Sequence, residues 1–331
     1  MFYRDISLPA IVEIGEGITY NILNLLQKNH IFFERIILFT QSSLFEIYFN
    51  YLPKDVFYKI IFIEGGKFEE IEEIKYEECF QDSLFIAFGG GSVIDFVKYY
   101  ATKYHNSFVS MPSTLSNDAI YSPIARLSEN GIKKSFGVKS PIGIIVDTNI
   151  IKQSPEELIL AGVGDLVSNQ SAVKDCLLSI KETDEKVDSF SLLLSRMSVE
   201  GIFKYKKEDI FTVGFIEQLS YGLIISGLSM TLANSSRPAS GSEHMISHAI
   251  DEFFPTKASI HGIQVAWAQL NIEKLLRKDQ LEFERLQNFF SKIGLMSYID
   301  AIPFSEKEFF ELLPLAKNIR KRYTIIDEFV I

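Results

Sequence analysis

The sequence predicts an α/β N-terminal domain with a parallel, Rossmann-like sheet over residues 1–150. An all-helical domain over residues 151–331 follows. Three observations carry this reading. Short, fully apolar runs alternate with helical patterns through the first half. Strands without polar alternation are buried on both faces, as in a parallel sheet covered by helices. Those runs stop near Thr148, and the 331-residue length suits two domains of about 150 residues each.

The predicted strands are Ile36 to Phe39, Tyr58 to Ile63, Leu84 to Phe88, Phe108 to Met111 and Ile142 to Val146. Helical patterns separate them at Gly17 to Lys28, Phe45 to Leu52, Glu69 to Glu77 and Val93 to Lys103. Ser154-Pro155-Glu156-Glu157 reads as a helix start, with Ser as N-cap, Pro at the first helical position and carboxylates in the first turn. Later breaks are expected near Gly162 to Gly164, Glu182 to Lys186, Lys204 to Lys207, Ser235 to Gly241 and Phe254 to Lys257. The cleft between two such domains is the default ligand site.

Lys and Arg total 33 against 43 Asp and Glu, a net charge of −10. That excludes nucleic acid as the main partner, because phosphate contacts need clustered cations. Cys79 and Cys176 are too few for a disulfide framework or a thiolate metal site, and suit a reducing cytoplasm. Met1 to Asp5 lack the basic and apolar regions of a signal peptide. Tyr221 to Ala233 is apolar but too short for a bilayer and carries Gly and Ser, so a tightly packed helix is expected and no membrane partner.

Four segments carry chemistry. Gly89-Gly90-Gly91-Ser92 ends a strand and opens a helix. Without Cβ atoms the backbone N–H groups approach an anion closely, and a helix N-terminus favours negative charge. The segment reads as a pyrophosphate cradle or as a tight turn. Asp95 and Lys98, three apart, read as a helix-surface ion pair. Met111 to Pro123 follows a strand, at the sheet edge where open α/β folds bind ligands, and gathers hydroxyls and Asp118. It also reads as a loop of Asx and Ser turns.

On the helical half, His244 and His248 share a helix face, His261 follows, and Asp165 closes Gly162-Val163-Gly164-Asp165. Two imidazoles and a carboxylate leave open positions on a divalent metal; Asp165 as an N-cap and the histidines as ordinary packed residues are the alternative. Ser235 to Glu243 offers Arg237, hydroxyls and a helix start, a home for a substrate phosphate or a capped loop.

These segments, in this order, resemble the dehydroquinate synthase-like and iron-dependent alcohol dehydrogenase superfamily, and within it the sn-glycerol-1-phosphate dehydrogenase branch. Gly-Gly-Gly-Ser-x-x-Asp at 89–95, Pro112 to Pro123, Gly162 to Leu166, Ser236 to His244, His261-Gly262 and Arg322-Tyr323-Thr324-Ile325 all match that branch. The Ser-Arg-Pro-Ala-Ser-Gly-Ser-Glu-His string is the most specific; the glycine triplet belongs to the wider superfamily.

The resemblance implies a reversible reduction of dihydroxyacetone phosphate to sn-glycerol 1-phosphate, with NAD or NADP and one divalent metal, zinc first and nickel or iron as alternatives. It implies dinucleotide contacts at Gly89, Gly90, Gly91, Ser92, Val93, Ile94 and Asp95, and at Ser113, Thr114, Leu115 and Ser116, with Ser122 near the nicotinamide. It places Asp165, His244 and His261 on the metal. Asp118, Asp165, His248 and Arg237 would touch substrate, His248 as the proton relay and Asp118 and Asp165 as its catalytic companions. A cytoplasmic homodimer is the expected setting.

Two departures stand out. Asn117-Asp118-Ala119 replaces the family's His-Asp-Gly, and Thr40-Gln41-Ser42-Ser43 carries no acid near the adenosine ribose, which admits NADP. The rival readings are a polyol dehydrogenase without substrate phosphate, a dehydroquinate synthase-like cyclase and a metal-free binding subunit.

Overall fold

The computed structural model describes residues 8–330; Met1 to Asp5, read above as unlike a signal peptide, lie outside them. The chain forms two compact units. One holds the residues up to Leu115 together with Ala119–Ser154, the other Ser116–Asp118 together with Pro155 onward.

The first unit is built on a six-stranded, all-parallel sheet of β1 (Ile11–Gly15), β2 (Ile36–Thr40), β3 (Lys59–Phe62), β4 (Leu84–Gly89), β5 (Ser107–Pro112) and, after a two-stranded hairpin of β6 (Ile124–Glu129) and β7 (Ile132–Gly137), β8 (Gly143–Asp147). The order is β1-β8-β5-β4-β2-β3. Every residue of β2, β4 and β8 is buried, as expected for a sheet covered on both faces. Its helices are α1 (Ile22–Lys28), α2 (Ser42–Ile47), α3 (Phe68–Glu73), α4 (Gly91–Tyr104) and α5 (Thr148–Ile151).

From β2 the chain runs outward to β3, then returns past β2 to β4. The turns leaving β2 and β4 therefore diverge, and the crevice at their carboxyl ends is where such sheets take ligands. Thr40-Gln41 and Gly89-Gly90-Gly91 occupy those two ends.

The hairpin was not expected, although its signal was present. Asn130 and Gly131 adopt φ of 51° and 80°, the left-handed pair of a two-residue turn, and Asn-Gly is the preferred sequence for it. Nor was β1 expected; it is a short edge strand with one fully buried residue, Ile11.

The second unit contains α6 (Glu156–Glu182), α7 (Ser189–Ser198), α8 (Val213–Ala233), α9 (Ser242–Phe253), α10 (His261–Asn271), α11 (Gln280–Ile293), α12 (Met296–Ile299) and α13 (Glu306–Ile319). Two expectations are corrected in α6. Ser154 does not cap it, because its hydroxyl donates to the Ile151 carbonyl and the helix begins one residue after Pro155. Nor does the chain break at Gly162 to Gly164: the helix runs through them for 27 residues, and Asp165 lies inside it rather than at an N-cap. α8 is long and apolar enough by length and composition to cross a membrane, with 61% of that window buried within the protein.

Candidate metal and dinucleotide sites

Gly164, inside α6, has a packing partner. A Cβ on Gly164 would lie 2.3 Å from the Gly262 carbonyl oxygen, and a Cβ on Gly262 would lie 1.9 Å from the Ala161 carbonyl oxygen. Neither distance is survivable, so α6 and the first turn of α10 touch backbone to backbone. That contact sets His261, the first residue of α10, beside Asp165.

His244, in the first turn of α9, completes the group. Among the described residues, Asp165, His244 and His261 offer ligand atoms that all lie within 4.8 Å of one another. Asp165 Oδ1 is 3.4 Å from His244 Nε2 and 3.7 Å from His261 Nε2. Tetrahedral ligands about 2.0–2.1 Å from zinc stand roughly 3.4 Å apart, so the donor set fits a divalent ion by spacing and by chemistry.

The remaining imidazole nitrogens are held from behind. Glu243 Oε1 lies 2.9 Å from His244 Nδ1 and also accepts the Gly241 N–H at 2.6 Å. A carboxylate accepts hydrogen bonds, so His244 Nδ1 carries the proton and Nε2 is the atom turned toward Asp165. Ser247 Oγ lies 3.0 Å from His261 Nδ1 and receives the Gln264 amide, which also donates to Asp251. Glu243 and Gln264 were not anticipated. The acid adjacent to His244 was visible as a letter, but no pattern tied Gln264 to His261.

Burial works against a charged His244, yet hydrogen bonds to Asp165 and Glu243, with their charges, push it up to about 9. Burial likewise opposes charge on Glu243, and the His244 bond together with the Gly241 N–H holds that carboxyl below its usual range.

His248 stacks on His261 with centroids 5.7 Å apart and planes at 24°, and meets His244 edge-on at 6.2 Å. The Asp118 N–H donates to Asp165 Oδ2 at 2.9 Å, and the Asp118 carboxylate accepts from Ser226 Oγ at 3.5 Å. All five residues, Asp118, Asp165, His244, His248 and His261, thus share one neighbourhood.

Arg237, expected at a substrate phosphate, is committed to other partners. It is buried, with Nε and Nη2 at 3.1 and 2.9 Å from the two Glu185 oxygens, and it donates to the Tyr323 carbonyl. Glu185 in turn holds the Ser179 hydroxyl. Ser179 lies fourteen residues beyond Asp165 along α6, about 21 Å at 1.5 Å per residue. A three-carbon substrate with its carbonyl beside Asp165 does not span that distance. Seven residues of sequence between Arg237 and His244 suggested a nearness that the loop does not preserve.

In the first unit, Gly90 caps α4 in extended conformation, and Gly91 and Ser92 form the first turn. A Cβ on Gly89 would lie 2.6 Å from Val93 Cβ, so Gly89 serves the turn itself. A Cβ on Gly90 would meet nothing nearer than Thr114 Cγ2 at 3.5 Å, so the space over Gly90 is open. Thr114 Oγ1 is buried with no hydrogen-bond partner among the described residues. An open backbone, a helix N-terminus and an unanswered hydroxyl together fit a dinucleotide phosphate.

The other expected cofactor contacts are differently engaged. Val93 and Ile94 spend their N–H groups on Gly90 O and bury their side chains, and Leu115 is core. Ser113 N–H donates to Gly89 O, tying the β5 loop to the cradle, and Ser116 is partly exposed. The Asp95–Lys98 pair is corrected from surface to interior. Lys98 has no exposed surface, and its ammonium reaches Asp95 at 3.2 Å, Ser122 Oγ at 3.0 Å and Ile124 O at 3.0 Å. Asp95 also accepts the Arg126 N–H, and burial raises its carboxyl above the ordinary range despite Lys98. This knot ties α4 to the β6–β7 hairpin.

The loop after β3 was not anticipated, although Gly65-Gly66 follows a strand as the triplet does. Both residues have φ of 78°, and a Cβ on Gly65 would press at 3.1 Å on the Ser92 carbonyl carbon. At the end of β2, the Gln41 amide donates to Glu64 O at 2.7 Å.

Comparison with known proteins places the chain in a family. Residues 14–155 match the family described as iron-containing alcohol dehydrogenase. The glycerol-1-phosphate dehydrogenase [NAD(P)+] of Archaeoglobus fulgidus is 32% identical over 338 residues, spanning 99% of this chain and 95% of the relative. That of Methanococcus aeolicus is 37% identical, spanning 82% of this chain and 81% of the relative. Among solved structures, glycerol dehydrogenase from Schizosaccharomyces pombe superposes with a TM-score of 0.77 at 17% identity, covering 98% of this chain and 85% of that one. A probable glycerol dehydrogenase from Sinorhizobium meliloti gives 0.75 at 18% identity, covering 97% and 91%; at such identities the likeness is one of fold. With a nearly full-length relative above 30% identity, the chain belongs to the glycerol-1-phosphate dehydrogenase family of iron-containing alcohol dehydrogenases.

Proposed function

We propose that the protein interconverts dihydroxyacetone phosphate and sn-glycerol 1-phosphate with NAD or NADP. The observation that carries the reading is the Asp165–His244–His261 donor set, backed by Glu243 and Ser247, in a chain whose relatives are named for this activity. A divalent ion, zinc first and iron or nickel as alternatives, would be held by those three side chains and would supply Lewis acidity toward a carbonyl oxygen. The dinucleotide would supply or accept the hydride.

The chain's own residues do the rest. Glu243 fixes the His244 ring, and the Gly164–Gly262 contact fixes His261. His248, stacked on His261 yet outside the donor set, is the group that holds or passes the proton of the substrate hydroxyl. The Asp118 carboxylate orients the substrate beside Asp165. Gly90, Gly91, Ser92 and Thr114 bind the pyrophosphate, and the acid-free Thr40-Gln41 end of β2 accepts either dinucleotide. The acidic, cysteine-poor composition supports a cytoplasmic setting, and a homodimer is the assembly that light scattering would check.

A polyol dehydrogenase without substrate phosphate is the second reading, and the commitment of Arg237 to Glu185 favours it, since the cation first expected for the phosphate is spent. Lys133 and Lys134, on β7, are the alternative phosphate contacts, with Lys134 also paired to Glu129. NAD(P)H absorbance with dihydroxyacetone phosphate and free dihydroxyacetone, and in reverse with glycerol 1-phosphate and glycerol, separates the two. A preference for the phosphorylated pair is expected; a preference for free glycerol replaces the proposal with the second reading.

A further inference from the structure

The arginine taken from the substrate belongs to a second cationic centre. A pocket of about 480 Å³ lies beyond the end of α6, where Lys317, Arg320, Lys321 and Arg322 stand against two carboxylates, Glu185 and Asp327. Glu185 is already bonded to Arg237, and Asp327 stands 3.7 Å from Lys317 and accepts the Thr324 N–H at 2.9 Å. Among the lining residues, cations therefore outnumber carboxylates, in a chain whose net charge is −10.

The excess is built in rather than splayed on the surface. Arg320 Nη1 and Arg322 Nη2 both donate to the single Ser236 hydroxyl, at 3.0 and 3.2 Å. Arg320 also reaches Ser240 Oγ, and Arg322 the Ser240 carbonyl. Arg237 is only 3% exposed, and its Nη1 is buried with no hydrogen-bond partner among the described residues. Burial, and then the neighbouring Arg237, depress Arg322 below the usual guanidinium value. The converging Arg320 and Arg322 guanidiniums that line the pocket are costly without an anion and well suited to one, because planar N–H forks match phosphate oxygens. Ser179 and Thr183 hydroxyls complete the lining. Ser179 lies about 21 Å along α6 from Asp165, so one triose phosphate does not bridge the two places.

We propose that this pocket is a second anion site, separate from the metal and dinucleotide residues, that takes a phosphate-type dianion. The probe is inorganic phosphate, titrated into the full chain loaded with divalent metal and saturated with dinucleotide, with sodium chloride at matched ionic strength as control. Hydrogen exchange is read over residues 317–325. Phosphate is expected to slow exchange in that segment, and chloride is not. Lys321 lines the pocket and is exposed, so Lys321→Glu should fold normally, keep wild-type kcat and bind phosphate about 3- to 10-fold more weakly at that segment. Arg322→Lys, which keeps the charge and removes the fork, should weaken it further. The proposal is overturned if wild type shows no phosphate-specific protection of 317–325, if chloride reproduces the protection, or if Lys321→Glu binds phosphate unchanged.

Discussion

At Gly90, in the α/β unit, an added Cβ would come no closer than 3.5 Å to any neighbour; at Gly262, in the helical unit, it would lie 1.9 Å from a carbonyl oxygen. Both glycines stand at candidate sites, and both are followed or preceded by the residues that matter there. The first keeps backbone clear for a ligand that comes and goes. The second lets two helices meet so that ligand-bearing side chains are fixed in advance. Substitution therefore separates them: one change should harm binding without harming the fold, the other should harm the fold and the site together.

The largest effect is expected at Gly262→Ala. Overpacking usually costs about 1–3 kcal/mol, and a backbone–backbone clash belongs at or beyond the top of that range. Urea denaturation should show the loss, and metal analysis should show that His261 no longer meets Asp165. His261→Ala supplies the contrast, because it removes the imidazole without the clash. It should abolish metal-dependent turnover while leaving stability and dinucleotide binding close to wild type. A Gly262→Ala protein with unchanged midpoint and full metal content would sink the packing argument.

Next in size is Glu243→Gln. The amide keeps the volume but loses the charge that orients His244 Nδ1. Partners of this kind are typically worth 10- to 100-fold in metal affinity. Competition with a chelator measures that directly, without reference to turnover. An affinity within two-fold of wild type would show that Asp165 alone positions the ring.

The contrast between the glycines also explains what the sequence could and could not tell. The parallel sheet was legible because Ile36–Phe39, Leu84–Phe88 and Ile144–Val146 are apolar at every position, a pattern few other structures demand. Gly162 to Gly164 was misread as a break because low helix propensity is a local property, whereas the use of Gly164 is a contact with α10 nearly a hundred residues away. Arg237 was misplaced for the same reason: its partners, Glu185 and the Tyr323 carbonyl, are distant in sequence. His244, His248 and His261 were legible as a cluster because imidazoles are scarce in this chain and two of them share a helix face. Lys98 looked like a surface partner of Asp95; nothing in an i, i+3 spacing reveals that a hairpin closes over both.

Gly90→Val should act in the other unit and with smaller force. The space above Gly90 is free in the protein, so the unfolding midpoint should stay near wild type. Dinucleotide affinity should fall by about ten-fold or more, equivalent to roughly 1.4 kcal/mol, because the branched side chain stands where pyrophosphate meets backbone. Fluorescence titration with NADH and NADPH checks it. Unchanged affinity would reduce the triplet to a turn, and a collapsed midpoint would mean that Gly90 serves packing as Gly262 does.

The smallest effect expected is a pH dependence confined to the metal-free protein. His244 is held up to about 9 by Asp165 and Glu243 against the pull of burial, while an unfolded histidine titrates near 6.5. A folded value above the unfolded one means that the stabilisation is fully present below about pH 6.5 and is lost as pH rises through about 9. The thermal midpoint of the metal-free protein should therefore decline across that window, on the order of a few degrees. A metal ion must displace the same proton, so metal affinity should rise across the window and the loaded protein should show a flatter profile. Glu243→Gln should move the decline to lower pH by removing one of the two carboxylate charges that hold the imidazolium. Gly90→Val should leave it untouched, since Gly90 belongs to the other unit. A midpoint that is flat from pH 6.5 to 9 without metal would show that the imidazole is neutral there, and that the Asp165–His244 contact is not an ion pair.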